Sequence, residues 1–150
     1  MQNVNYEKKM ANFQKNLLLR KLNNIDKIIE HRKYISSIYG KELKKLGILV
    51  REFPKDYDVV YLRYPLLVKN KEKILNNAIK KGIEIGDWFV SVVHPITKNL
   101  EFSGYEIGSC PIAEKICKNI INLPTHEKIK EKDVKRIENF IKDNIYSFDL

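Results

Sequence analysis

The segment Gly86-Asp87-Trp88-Phe89-Val90-Ser91-Val92-Val93-His94-Pro95 brings together the chain's only tryptophan, a histidine and an acid. Aromatic side chains of this kind either line a pocket or plug a core, and both readings are open for Trp88 and Phe89. Other chemistry is hard to find. The chain has no glycine-rich phosphate loop, no serine-centred nucleophile elbow and no His-Glu-x-x-His. His31, His94 and His126 lie far apart, and His31 beside Arg32 reads as a helix surface residue. Cys110 and Cys117 stand seven residues apart with no third ligand nearby, so they read as free thiols rather than a metal site. The sequence by itself therefore marks no catalytic residue, no cofactor-binding residue and no metal ligand.

The elements that must position these residues are clearer. Apolar residues recur at spacings of three and four from Met10 and Phe13 through Leu17, Leu22 and Ile28 to Ile35, Tyr39 and Leu46, interrupted by Arg32. This predicts one long amphipathic helix over residues 10–46, with room for a kink, ending near Gly47. At 1.5 Å per residue it would span roughly 55 Å, so part of it should pack on something outside this chain. Val59 to Val68 reads as a strand whose Pro65 marks an edge or a bulge. A helix over 71–81, with Ile74, Leu75, Ala78 and Ile79 inward, stops at Gly82, and Ile83-Glu84-Ile85 follows as a short strand. Residues 86–109 lose periodicity, as functional loops often do. Pro111 opens a helix capped by Ser109 or Cys110, with Ile112, Ile116 and Ile120 inward. Ile121-Asn122-Leu123-Pro124 gives a third strand, and a last helix runs from about Glu131 to Ile145. The fold class predicted is a two-layer α+β (α/β) arrangement: a long N-terminal helix, then a small, mainly antiparallel sheet with helices on one face. The 150 residues form one domain, with a linker or interface helix over 1–47 and a small α+β unit over 57–150.

Composition narrows the function classes. A hydrophobic fraction of 43% suits a folded protein, and no run approaches the length of a membrane span. The N-terminal residues lack the apolar segment of a secretory signal, which leaves a cytoplasmic location as the expectation. The net charge of +9 comes from 28 cations spread along the chain among 19 acids. It reads as a solvated surface rather than a nucleic-acid site, since aromatic residues are not interleaved with arginines.

Five pieces, in order, carry a resemblance. They are Lys9-Met10-Ala11-Asn12-Phe13-Gln14 with Arg32-Lys33-Tyr34-Ile35; Tyr64-Pro65-Leu66-Leu67-Val68 with Lys81-Gly82-Ile83; Ser109-Cys110-Pro111-Ile112-Ala113-Glu114-Lys115-Ile116; Asn122-Leu123-Pro124-Thr125-His126; and Lys132-Asp133-Val134-Lys135-Arg136-Ile137. From about Tyr6 to Ile141 the chain resembles the C-terminal part of the DegT/DnrJ/StrS aminotransferases. The resemblance implies the small C-terminal domain of a type I aminotransferase fold, which closes over the substrate. In the family a large domain holds pyridoxal phosphate on a lysine, and an amino group moves from glutamate or glutamine to a keto group on a nucleotide-linked sugar.

No lysine here stands in the family's Ser-x-x-Lys context, and nothing matches the acid that partners the pyridine nitrogen. At Tyr6-Glu7-Lys8-Lys9-Met10, Glu7 replaces an asparagine that reaches the cofactor phosphate in the family. Its charge would repel that phosphate, so either the site has decayed or the register is shifted at this end. The resemblance thus implies a truncated or split enzyme, inactive alone and binding no pyridoxal phosphate alone, with Trp88 and His94 contacting substrate. The partners expected are a second copy of the chain or a separately encoded large domain, with a nucleotide sugar only once the enzyme is complete. A non-catalytic scaffold module is the alternative, and a small basic nucleic-acid binder a further one.

Overall fold

The computed structural model describes residues 9–148. Tyr6, Glu7 and Lys8, on which the cofactor-phosphate comparison rests, lie outside the described residues. The elements are α1 (Asn12–Leu22), α2 (Ile25–Lys45), β1 (Arg63–Leu67), α3 (Lys71–Lys80), α4 (Pro111–Asn119), β2 (Ile120–Pro124) and α5 (Glu131–Asp143), with single 3-10 turns at Leu100–Ser103 and Ile145–Ser147.

The long helix expected over 10–46 is two helices, broken at Asn23 and Asn24. Asn24 Nδ2 donates to the Arg20 carbonyl at 3.1 Å, a side-chain bond that competes with the backbone ladder. Ile35, Tyr39 and Leu43, spaced by four on α2, are almost fully buried. Gly47 then takes φ +75°, and the Ile48 amide donates back to the Leu43 carbonyl at 3.1 Å. That bond closes the helix end, and the buried Ile48 side chain packs with it. On α1, by contrast, no residue is buried.

β1 and β2 pair antiparallel, Arg63 opposite Pro124 through Leu67 opposite Ile120. Their register puts Tyr64, Leu66, Ile121 and Leu123 on the core face, against α2 and α5. Arg63, Pro65 and Asn122 share the opposite face. The expected strand at 59–68 is shorter because the Tyr61 and Leu62 carbonyls bond to the Arg32 and Thr125 side chains instead of a neighbouring strand. The strand expected at 83–85 does not form. Gly82 (φ +60°) ends α3, and the Ile83 amide returns to the Ala78 carbonyl at 2.9 Å, which ties it to the helix end. Only Gly86 pairs with the sheet, exchanging two hydrogen bonds with Asn122 at 2.8 and 2.9 Å. The result is the two-layer α+β arrangement expected, with two ladder strands in place of three.

Asn70 caps α3, its side chain accepting from the Lys73 amide at 3.0 Å. Ile74 and Ala78 enter the core as expected, but Ile79 is 75% exposed. The inward face expected of α4 is also corrected: Ile112 is 76% exposed and Ile116 lies open with Leu67 at a shallow groove. α4 turns Glu114 toward the irregular segment instead, where it meets Tyr105 and Gly108. α5 buries Val134, Ile137, Phe140 and Ile141, while Ile145 falls in the closing 3-10 turn.

Candidate functional site

The 86–94 segment is placed by two anchors. Gly86 bridges to Asn122, and Lys71, at the start of α3, reaches across the segment with all three ammonium hydrogens. Its Nζ donates to the Asp87 carbonyl at 2.6 Å, the Phe89 carbonyl at 3.3 Å and the Cys117 carbonyl at 3.2 Å. Burial lowers the Lys71 pKa below the usual lysine range. One cation thereby straps the segment to the C-terminal end of α4.

On this frame the two sequence-predicted residues meet. The Trp88 and His94 rings lie 5.7 Å apart, with Phe89 5.4 Å from His94 and nearly perpendicular to it. His94 Nδ1 accepts from the Val90 amide at 3.4 Å, closing the turn between them. Trp88 is 39% exposed and Phe89 52%, so neither plugs the core. The open alternative resolves toward an accessible aromatic surface.

Sequence reasoning missed two neighbours of that surface. The Arg63 guanidinium lies 4.8 Å from the centre of the Trp88 ring. Its sequence signal was a lone cation in an otherwise apolar strand, with a glycine at residue 86 where the side chain crosses. Behind the segment, a cavity of about 200 Å³ is lined by Val90, Ser91, Val92, Leu100, Tyr105 and Glu114, among others. Glu114 accepts from Tyr105 Oη at 2.7 Å and the Gly108 amide at 2.6 Å, and these bonds hold its carboxyl below the usual range. The helix start around Glu114, expected to be architecture alone, thus also fixes the loop that walls this cavity.

The histidines do not converge. His31 is half-buried rather than a surface residue, its Nε2 3.1 Å from the His126 carbonyl, and His126 pairs with Glu84 at 3.1 Å. Among the described residues no three His, Cys, Asp or Glu side chains gather as metal ligands would. None of their helices is long and apolar enough to cross a membrane. Among the described residues Lys71 is the lysine that burial shifts toward neutrality, and its amine is committed to three carbonyls.

Residues 1–142 match the DegT/DnrJ/EryC1/StrS aminotransferase family. The chain is 26% identical over 145 residues to the uncharacterized protein MJ1066 of Methanocaldococcus jannaschii, covering 91% of this chain and 37% of that protein. Its fold is similar to a DegT DnrJ EryC1 StrS aminotransferase from Brucella abortus, with a TM-score of 0.76 at 24% identity over 91% of this chain and 36% of the other. It is likewise similar to S. venezuelae DesV, solved in complex with a ketimine intermediate, with a TM-score of 0.76 at 20% identity over 99% and 41%. A third is the putative sugar aminotransferase Spr1654 from Streptococcus pneumoniae in its PLP form, with a TM-score of 0.71 at 20% identity over 90% and 36%. The chain spans well under half the length of each.

Proposed function

We propose, for a chain that belongs to the DegT/DnrJ/EryC1/StrS aminotransferase family, that it supplies the substrate-closing small domain of a pyridoxal-phosphate-dependent sugar aminotransferase. The observation that carries this reading is the match of nearly the whole chain to about two fifths of aminotransferase chains at a TM-score of 0.76. A large domain, on this polypeptide or another, holds the cofactor and its lysine. Trp88 and His94 form the wall that faces a nucleotide-linked sugar. α1, which has no buried residue, is the surface on which the large domain or a second subunit rests. A cytoplasmic setting accords with Cys110 and Cys117 standing as free thiols.

These 150 residues alone do not hold the cofactor, so they have no transaminase activity until the large domain is supplied. Mixing the chain with pyridoxal phosphate, before and after borohydride, tests this through the visible absorbance. No adduct is expected, and transamination of a nucleotide keto-sugar should appear once a large domain is added. A stoichiometric reduced adduct on one lysine of this chain would overturn the reading. So would failure of every completed enzyme to transaminate.

A further inference from the structure

Among the described residues Arg63 has no partner suited to its charge. Its guanidinium donates no hydrogen bond to any described residue, and no described carboxylate lies within 4.0 Å of it. The group is nonetheless held in place. It runs across the outer face of the sheet and passes over Gly86, where an added Cβ would stand 2.8 Å from Nη1 and 3.7 Å from Cζ. Gly86 cannot recede, because both its backbone groups are bonded to Asn122. Beyond it the guanidinium comes up to the Trp88 ring, with His94 on Trp88's other contact. On the same face Asn122, 5% exposed, leaves its Oδ1 unpartnered.

A half-buried guanidinium that lies over an aromatic ring, with no carboxylate partner among the described residues, has its planar fork of N–H donors free, and that fork matches carboxylate and phosphate oxygens. Lying over the Trp88 ring uses none of those donors. Desolvation by the ring strengthens an ion pair formed there relative to one in bulk water. Among the described residues, the absence of a carboxylate partner distinguishes Arg63 from Lys33, Lys44 and Lys81, each of which is paired with an acid.

We propose that Arg63, seated between Gly86 and Trp88, is an oxyanion receptor that binds a carboxylate or phosphate group of the substrate. The site itself stands on geometry. Its assignment to a substrate rests on the aminotransferase reading, under which the oxyanion belongs either to the amino donor's carboxylate or to the sugar nucleotide's phosphates.

The test uses Trp88, the only tryptophan, as reporter. The 150-residue chain is titrated with inorganic pyrophosphate and with glutarate while Trp88 emission is followed. A saturable change is expected with at least one of them. Arg63→Gln should raise the apparent Kd at least tenfold, with Arg63→Lys intermediate, since it keeps charge but loses the fork. Gly86→Ala should do the same with Arg63 intact, because its methyl displaces only the flexible end of that side chain. An unresponsive wild-type chain, or binding by both Arg63→Gln and Gly86→Ala within twofold of wild type, would overturn the proposal. In the completed enzyme, Arg63→Gln should raise the KM of one substrate at least tenfold: the amino donor if a carboxylate docks, the sugar nucleotide if a phosphate does. Unchanged KM for both would refute the substrate assignment. Saturable binding without any transamination would instead sink the aminotransferase reading and leave the receptor standing.

Discussion

Arg32 Nη1 lies 2.9 Å from Thr125 Oγ1, joining residues 93 positions apart. The same guanidinium nitrogen reaches the Leu62 carbonyl at 2.5 Å, and the Thr125 hydroxyl lies 2.9 and 2.8 Å from the Tyr61 and Leu62 carbonyls. In sequence, Arg32 was only an interruption in an apolar stripe. In the fold it is the polar tie between α2 and the chain entering β1. Removing it leaves the single hydrogen of the Thr125 hydroxyl to serve two carbonyls, and the hydroxyl oxygen itself without a donor. Arg32→Met should therefore cost on the order of 2 kcal/mol, and Thr125→Val about 1–2 kcal/mol. The double variant should lose less than the sum, because the two share one network. Urea denaturation of the four proteins measures all three quantities.

Alkaline stability should fail through two tyrosines. Burial pushes the Tyr64 phenol up to about 12, and burial pushes Tyr39 higher still. Tyr39 also donates to the Pro124 carbonyl at 3.2 Å. An unfolded tyrosine ionises near pH 10, so between about pH 10 and 12 the unfolded chain releases protons that the folded chain keeps. Stability is then intact below pH 10 and falls as pH rises through that window, by on the order of 2 kcal/mol for Tyr64. Absorbance at about 295 nm should show Tyr39 and Tyr64 ionising only with the loss of helical ellipticity, and Tyr64→Phe should delay that loss.

What the sequence made legible follows from range of interaction. The α2 and α5 faces could be read because Ile35, Tyr39 and Leu43, or Val134, Ile137 and Ile141, repeat at the helix period and are in fact buried. The helix stops at Gly47 and Gly82 were legible for the same local reason. The break at Asn23 was not, since the apolar stripe continues across it. Ile112 and Ile79 looked buried because periodicity shows that a face is apolar without showing what covers it. Residue type and irregular context singled out the segment of Trp88 and His94, whose rings the fold brings to 5.7 Å. Arg63, Lys71 and Gly86 were not legible, because their meeting depends on strand register and on a strap across 46 residues.

Acid should loosen the loop before α4. The Tyr105 hydroxyl and the Gly108 amide hold the Glu114 carboxyl below its usual range, so the folded loop favours the ionised form. The sign is that of a depressed carboxylate. Its contribution is present above the ordinary pKa of about 4.5 and is lost as pH falls through the folded value. Hydrogen-exchange protection of the Gly108 amide should drop on acidification below about pH 4.5. Glu114→Gln should lower it at neutral pH and flatten its pH dependence. Unchanged protection in that variant would mean that Gly108 (φ +92°) is held by its backbone geometry alone.

α1 should be expendable for folding and required for assembly. Phe13 is 66% exposed and Leu17 56%, on a helix with no buried residue, whereas Leu43 on α2 is 1% exposed. Leu43→Ala empties a packed core site and should cost about 2–5 kcal/mol. Leu17→Glu empties no buried site, so the isolated chain should change by less than about 0.5 kcal/mol. An isolated helix of 11 residues is marginal in water, and an apolar face this continuous on a surface marks a contact site. Leu17→Glu should accordingly weaken association with a large domain or second subunit at least tenfold, measured by sedimentation against wild type. If Leu17→Glu instead destabilised the isolated chain as much as Leu43→Ala, α1 would be folding back on its own domain, and the open face would not exist in solution.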